Sequence, residues 1–222
     1  MKNFPATLAI NKAVISHETH HLRDYADVME RVVAAEADRE SYSLEESTRY
    51  LKPEECAEVY ADNAEYLVAL TDHFIFQHRL SIITTIYAVF ESHLVHLCKM
   101  LCTQRNVSYS LRDLSGNSNL DKAKRLLSKF LNVPLDDAQW QRMQRFSSLR
   151  NIASHQNGYL PDDGPGALKD ILASFPDTLD NDGMRIKPKH AAAFVLLGAV
   201  DEFYSTLYKS LEVWGQLKPV AP

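Results

Sequence analysis

The chain has 222 residues, a formal net charge of −5 at pH 7 and 45% hydrophobic residues. That length supports one good core, or one core with an appendage. The mild acidity counts against a strongly basic nucleic-acid binder, and no uninterrupted run of apolar residues approaches a membrane span. The start, Met1 to Pro5, leads to no signal-peptide core because Asn11 and Lys12 interrupt the apolar residues early. These features point to the cytoplasm. Cys56, Cys98 and Cys102 are an odd count without metal-ligand spacing, which reads as reduced thiols rather than a disulfide framework.

Glycine is scarce and proline sits at the edges of periodic segments, so the expected class is all-α. A first helix is expected over residues 17–40, with Leu22, Tyr25, Met29, Val32 and Val33 on one side. It contains Glu18-x-x-His21, half of a carboxylate-bridged di-iron motif. The second Glu-x-x-His that such a site needs is absent from the sequence, so no metal or cofactor is expected. Residues 41–53 read as a polar connection. Pro53-Glu54-Glu55 then opens a helix, with proline in the first turn and acids at the positive end of the dipole. That helix is expected to run, with a bend near Thr71-Asp72, into the next.

Residues 74–104 carry the strongest periodicity. Leu80, Ile83, Tyr87, Phe90, Leu94, Leu97 and Leu101 step by three and four, and a second seam, Ile82, Ile86, Val89, His93, His96 and Met100, runs beside it. A helix apolar on two faces must be covered on both. It is either the centre of a bundle or packs a core on one side and another chain on the other. Glu91 interrupts it and should face solvent, a partner charge or a cleft, because an unpaired buried carboxylate is costly. His93 and His96 lie on the second seam and read as core or interface histidines.

Ser118 or Asn119 caps a helix over 120–131, which Asn132-Val133-Pro134 ends. Asp136 with Gln139 makes a capping box for the next helix. Between residues 118 and 150, seven basic side chains face three acidic ones, a local excess on an otherwise neutral remainder. Met143, Phe146, Leu149 and Ala153 set a helical stripe, and Asn157-Gly158 stops it. The last turns read Arg150-Asn151-Ile152-Ala153-Ser154-His155. Asn151 lies one turn below His155 on the same face, whereas Arg150 is about 140° away around the axis. Residues 158–188 are the longest weakly structured stretch, with a brief helix over 167–175. A last helix over 189–214 buries Leu196, Val200, Phe203, Leu207 and Trp214.

This Arg-Asn-x-x-x-His pattern, on a helix that follows a long apolar helix and a short one, resembles the signature of the HEPN family of all-helical domains. Many members are metal-independent ribonucleases of toxin–antitoxin and phage-defence systems. The resemblance covers residues 74–214 as an order of elements and residues 150–155 residue by residue. It implies a HEPN-type bundle over 74–214, with residues 1–73 as a helical region packing on it and 215–222 as a tail. It further implies a homodimer in which the motif helices of both copies face one cleft. Arg150, Asn151 and His155 would act on RNA, with Glu91 as an acidic residue on the adjoining helix. The protein partner implied is an antitoxin or a defence-system component. Some members are non-catalytic and only bind nucleotides or proteins. In the toxin branch whose antitoxin adenylylates it, a tyrosine stands two residues after the histidine. Here that position is Asn157, and the nearest tyrosine is Tyr159.

Overall fold

A computed structural model describes residues 4–160, 164–181 and 183–216. The described elements are predominantly helical. Helix α1 spans Phe4–Thr48 and α2 spans Pro53–Val68. A π-helical stretch, Ala69–Phe74, joins α2 without a break to α3, Ile75–Arg105. Helix α4, Asn119–Arg125, runs into a second π-helical stretch, Leu126–Phe130. The motif helix α5, Asp137–His155, is followed by α6, Gly164–Ser174. Strands β1, Leu179–Asn181, and β2, Ile186–Pro188, pair antiparallel, and α7, Ala192–Gln216, closes the order.

Helix α3 is the centre. All seven residues of its first seam are buried, because α5 and α7 pack along that side. The aromatic rings interlock there: Phe90 meets Phe203 edge-on at 5.2 Å, and Tyr87 meets Phe146 at 5.3 Å. The second seam is covered in part by α1 of the same chain, with Val89, His93 and Met100 half-buried and His96 exposed rather than in the core. Ile82 and Ile86 are buried there. Further along, His93 pairs with Glu18 at 2.7 Å, and the Asn11 amide donates to Met100 Sδ at 3.2 Å. Of the two arrangements open to the sequence, this one is the bundle centre.

Helix α1 corrects the sequence reading at both ends. It starts before residue 17, since Phe4, Leu8 and Ile15 already step along the buried face. It continues through the expected connection at 41–48, where Leu44 and Thr48 are buried and Arg49 sits 3.4 Å from Glu46. The exit is a short turn at 49–52. Phe4, Leu8 and Ile15 share one core with α3, α5 and α7, so the amino-terminal helix belongs to the bundle itself. Helix α2, by contrast, buries no residue. The strand pair was not expected, because two three-residue strands are too short to show an alternating pattern.

Local signals behave as their chemistry dictates. Thr71 and Asp72, where a bend is expected, lie inside the first π-helical stretch, whose wider i→i+5 turn shifts the helix face. Ser118 caps α4 by accepting from the Asp121 amide at 3.1 Å. Asp136 caps α5 from the amides of Ala138 and Gln139. The Gln139 side chain does not close the box; it donates to Glu202 of α7 at 2.8 Å. By length and composition the continuous helix 53–105 contains one window apolar enough to cross a membrane. The sequence reading missed it because polar residues are interspersed, and the α3 seam within it is core.

Candidate active site at the end of the motif helix

Helix α5 positions the motif by burying one stripe, Trp140, Met143, Phe146, Leu149, Ile152 and Ala153, against the core. The opposite face is polar. Asn151 and His155 are exposed on it, one turn apart. Among the described residues His155 forms no ion pair and its ring makes no hydrogen bond with the rest of the chain. The helix stops where expected. Asn157 and Gly158 take positive φ, at 49° and 84°, and the Gly158 amide donates back to the Ile152 carbonyl at 3.0 Å.

That stop is tied down by α3 and the β1–β2 hairpin. Gln77 at the start of α3 donates to Asn157 Oδ1 at 3.2 Å, and Arg185 Nε donates to the Asn157 carbonyl at 3.0 Å. The Arg185 guanidinium lies 3.8 Å over the Phe76 ring and 5.0 Å from the Tyr159 ring. The amide of Ile186 in β2 donates to the Gly158 carbonyl at 2.9 Å. A Cβ on Gly158 would come within 3.0 Å of the Phe76 ring. The β-hairpin thus serves as a clamp on the end of the motif helix. Sequence reasoning marked Asn157 and Gly158 as the stop but did not single out Phe76, Gln77, Arg185 or Ile186; Tyr159 and Arg185 lie far apart in the chain and become neighbours only through the fold.

Arg150 leaves the helix in another direction. It is half-buried, with its guanidinium 4.8 Å over the ring of Tyr87 on α3. Glu91, one turn further along α3 and also half-buried, influences the same phenol. Burial pushes the Tyr87 hydroxyl above the usual phenol range, and the Glu91 charge pushes the same way. Ser147 and Arg150 beside it act against the shift, although the hydroxyl makes no well-formed hydrogen bond. Arg150 and Glu91 are therefore brought to one place, around Tyr87, without forming an ion pair. Asn151 and His155 are brought to another, the exposed face. Tyr87 reads as plain core from sequence, and its role as the seat of Arg150 has no local signal.

A cavity of about 400 Å³ opens between the first π-helical stretch and β2, with Phe76, Arg79 and Arg185 in its wall. Another, of about 800 Å³, lies at the far end of α3. Arg150, Asn151 and His155 line neither. The basic excess around α5 is partly neutralised. Lys124 pairs with Asp137 at 2.6 Å, Arg142 with Glu202 at 2.7 Å, and Arg145 with Asp170 at 3.5 Å.

The Glu18 and His21 side chains do not converge. Glu18 reaches across to His93 on α3, while His21 faces His17 at 3.0 Å. No cluster of three or more metal-ligating side chains occurs among the described residues. All three cysteines are free thiols, and burial raises the pKa of both Cys98 and Cys102.

No family model matches the chain, and no curated protein or solved structure matches it either.

Proposed function

We propose that this chain is a metal-independent endoribonuclease of the HEPN type, acting as a homodimer with RNA as substrate. The observation that carries the reading is the end of α5. Asn151 and His155 stand exposed one turn apart, and Arg150 from the same last turns is seated with Glu91 around Tyr87. Helix α5 packs directly on the long central helix, which supports the reading.

The chemistry follows from the residue types. Cleavage needs a group to take the proton of the 2′-hydroxyl, a group to protonate the leaving 5′-oxygen, and donors for the charged phosphate. Imidazole exchanges protons near neutrality, and two His155 side chains across a two-fold axis would divide the base and acid roles. Arg150 supplies planar paired donors for phosphate oxygens. Asn151 orients the imidazole or bonds the phosphate. The 2′-oxygen attacks phosphorus, the P–O5′ bond breaks, and the products carry a 2′,3′-cyclic phosphate and a 5′-hydroxyl. Within one chain Arg150 and His155 diverge, so the reading depends on a second copy to complete the cleft. An antitoxin or defence-system partner and a cytoplasmic location belong to the same reading.

The test is cleavage of a mixed RNA by purified protein in the presence of a chelator. His155→Ala and Arg150→Ala should each abolish cleavage while leaving the helical circular dichroism intact. Cleavage that survives both substitutions, or that disappears with the chelator alone, overturns the mechanism.

One observation favours a second reading, a non-catalytic HEPN-fold module that binds a nucleotide or a protein. Arg150 already has a packing role on Tyr87. On this reading the purified protein cleaves no RNA, and its melting temperature rises when nucleotide is added.

A further inference from the structure

The 800 Å³ cavity lies at the opposite end of α3 from the motif. Tyr87 and Cys102 are 15 positions apart on one helix, about 22 Å at 1.5 Å per residue. Its size falls in the range that accepts a small-molecule ligand, about 300–1,000 Å³. It is built where α3 stops. Asn106 takes a left-handed conformation, with φ of 52°, and the Val107 amide donates to the Cys102 carbonyl at 3.0 Å. The chain then turns back across the helix end. Ser110 donates to the Asp113 carboxylate from both its amide and its hydroxyl, each at 2.7 Å, which fixes the short helical turn 111–113.

The walls set an apolar floor against a polar side, where Thr103, Asn106 and Ser110 accompany two cations. The floor is Cys98, Cys102 and Leu126, all buried, with Val95, Val107 and Leu111 around it. Burial keeps both thiols protonated at neutral pH, so they present soft, neutral surface. The mouth carries Lys99 and Arg112, both exposed. Neither forms an ion pair among the described residues. Tyr109 stands at the rim against Phe130, ring centroids 5.3 Å apart, and both rings are substantially exposed. Asp113, the nearest acid in sequence, is occupied by Ser110.

We infer that this cavity binds a fatty-acid-like monocarboxylate, with its hydrocarbon chain on the thiol floor and its carboxylate between Lys99 and Arg112. The cations select an anion, and the apolar floor selects a ligand whose affinity grows with chain length. A purely ionic ligand would leave the floor unused. A nucleotide would bring polar base edges onto a floor that offers few hydrogen-bond partners.

The test is calorimetric titration of the full-length chain with octanoate, decanoate and dodecanoate, all below their micelle concentrations. Affinity should rise up to about fourfold for each buried methylene. The double variant Lys99→Glu with Arg112→Glu alters only exposed, unpaired side chains, so its melting temperature should stay near the parent's. It should weaken dodecanoate binding by about tenfold or more. The inference is overturned by any of three results: no saturable binding, affinity that does not change with chain length, or undiminished binding in the double variant. Adenosine monophosphate binding more tightly than dodecanoate also overturns it. RNA cleavage plays no part in these readouts, so the inference stands or falls apart from the nuclease reading.

Discussion

The contact that ties the clamp region to the amino-terminal helix is Arg79, and its removal gives a sharp test of the packing. Arg79 Nε and Nη2 donate to the two oxygens of Glu30 at 2.6 and 2.8 Å, and Nη1 donates to the Pro188 carbonyl at 3.0 Å. One side chain thereby joins α3, α1 and β2. The two side chains are only 23% and 14% exposed, so the pair is shielded from water. Taking away one partner of a buried pair costs about 3–5 kcal/mol, because the other charge is left uncompensated. The residual exposure puts Arg79→Met at the lower end, about 3 kcal/mol. In a chain of this size that lowers the melting temperature by roughly 6–12 °C.

The pH dependence has a definite sign. Burial alone would raise the Glu30 pKa, but Arg79, helped by His190 and His78, holds the carboxyl below the usual range. The unfolded chain therefore binds the proton more readily. The stabilisation is fully present above the ordinary carboxylate pKa of about 4.3 and is lost as pH falls through the folded value. Urea denaturation of wild type and Arg79→Met should give a gap of about 3 kcal/mol at pH 7 that narrows below about pH 4. No gap at pH 7, or one that persists unchanged at pH 3, refutes the argument.

Gly158→Ala should cost about 1–3 kcal/mol, since alanine at φ of 84° is strained and its methyl meets Phe76. If the clamp positions the motif, RNA cleavage should fall further than the lost folded fraction explains; denaturation and rate assays on the same sample read both. Gly215→Ala places a methyl 2.6 Å from the Phe4 ring, so Phe4 must leave its edge-on contact with Trp214, 5.8 Å between centroids. Tryptophan fluorescence should shift, and stability should drop by about 1–3 kcal/mol; an unchanged spectrum would count against that packing. Tyr204→Phe removes a buried hydrogen bond of 2.6 Å to the Phe90 carbonyl and should cost about 1 kcal/mol by denaturant titration.

Much of the bundle is legible in the sequence because burial writes a period into it. Leu80 to Leu101 on α3, and Leu196, Val200 and Phe203 on α7, are buried as their spacing requires. The stop at Asn157-Gly158 and the cap at Ser118 are legible because backbone geometry there demands those residue types. Helix α1 was underread because Ser41, Ser43 and Ser47 weaken helix propensity locally. Burial of Leu44 and Thr48 overrides that preference. The site was legible only as an order of residues along α5. The seating of Arg150 on Tyr87, and the latch of Arg185 on Asn157, join positions 63 and 28 residues apart. Nothing local in the chain records such meetings.

The central claim is that His155 and Arg150 drive attack by the 2′-hydroxyl of RNA. The most direct measurement takes an oligoribonucleotide that the purified protein cleaves and replaces the 2′-hydroxyl at the cleaved position with hydrogen. The account predicts that cleavage there stops, and that mass spectrometry of the unmodified substrate finds 2′,3′-cyclic phosphate and 5′-hydroxyl ends. Continued cleavage of the deoxy-substituted strand, or products ending in a 5′-phosphate, would contradict it.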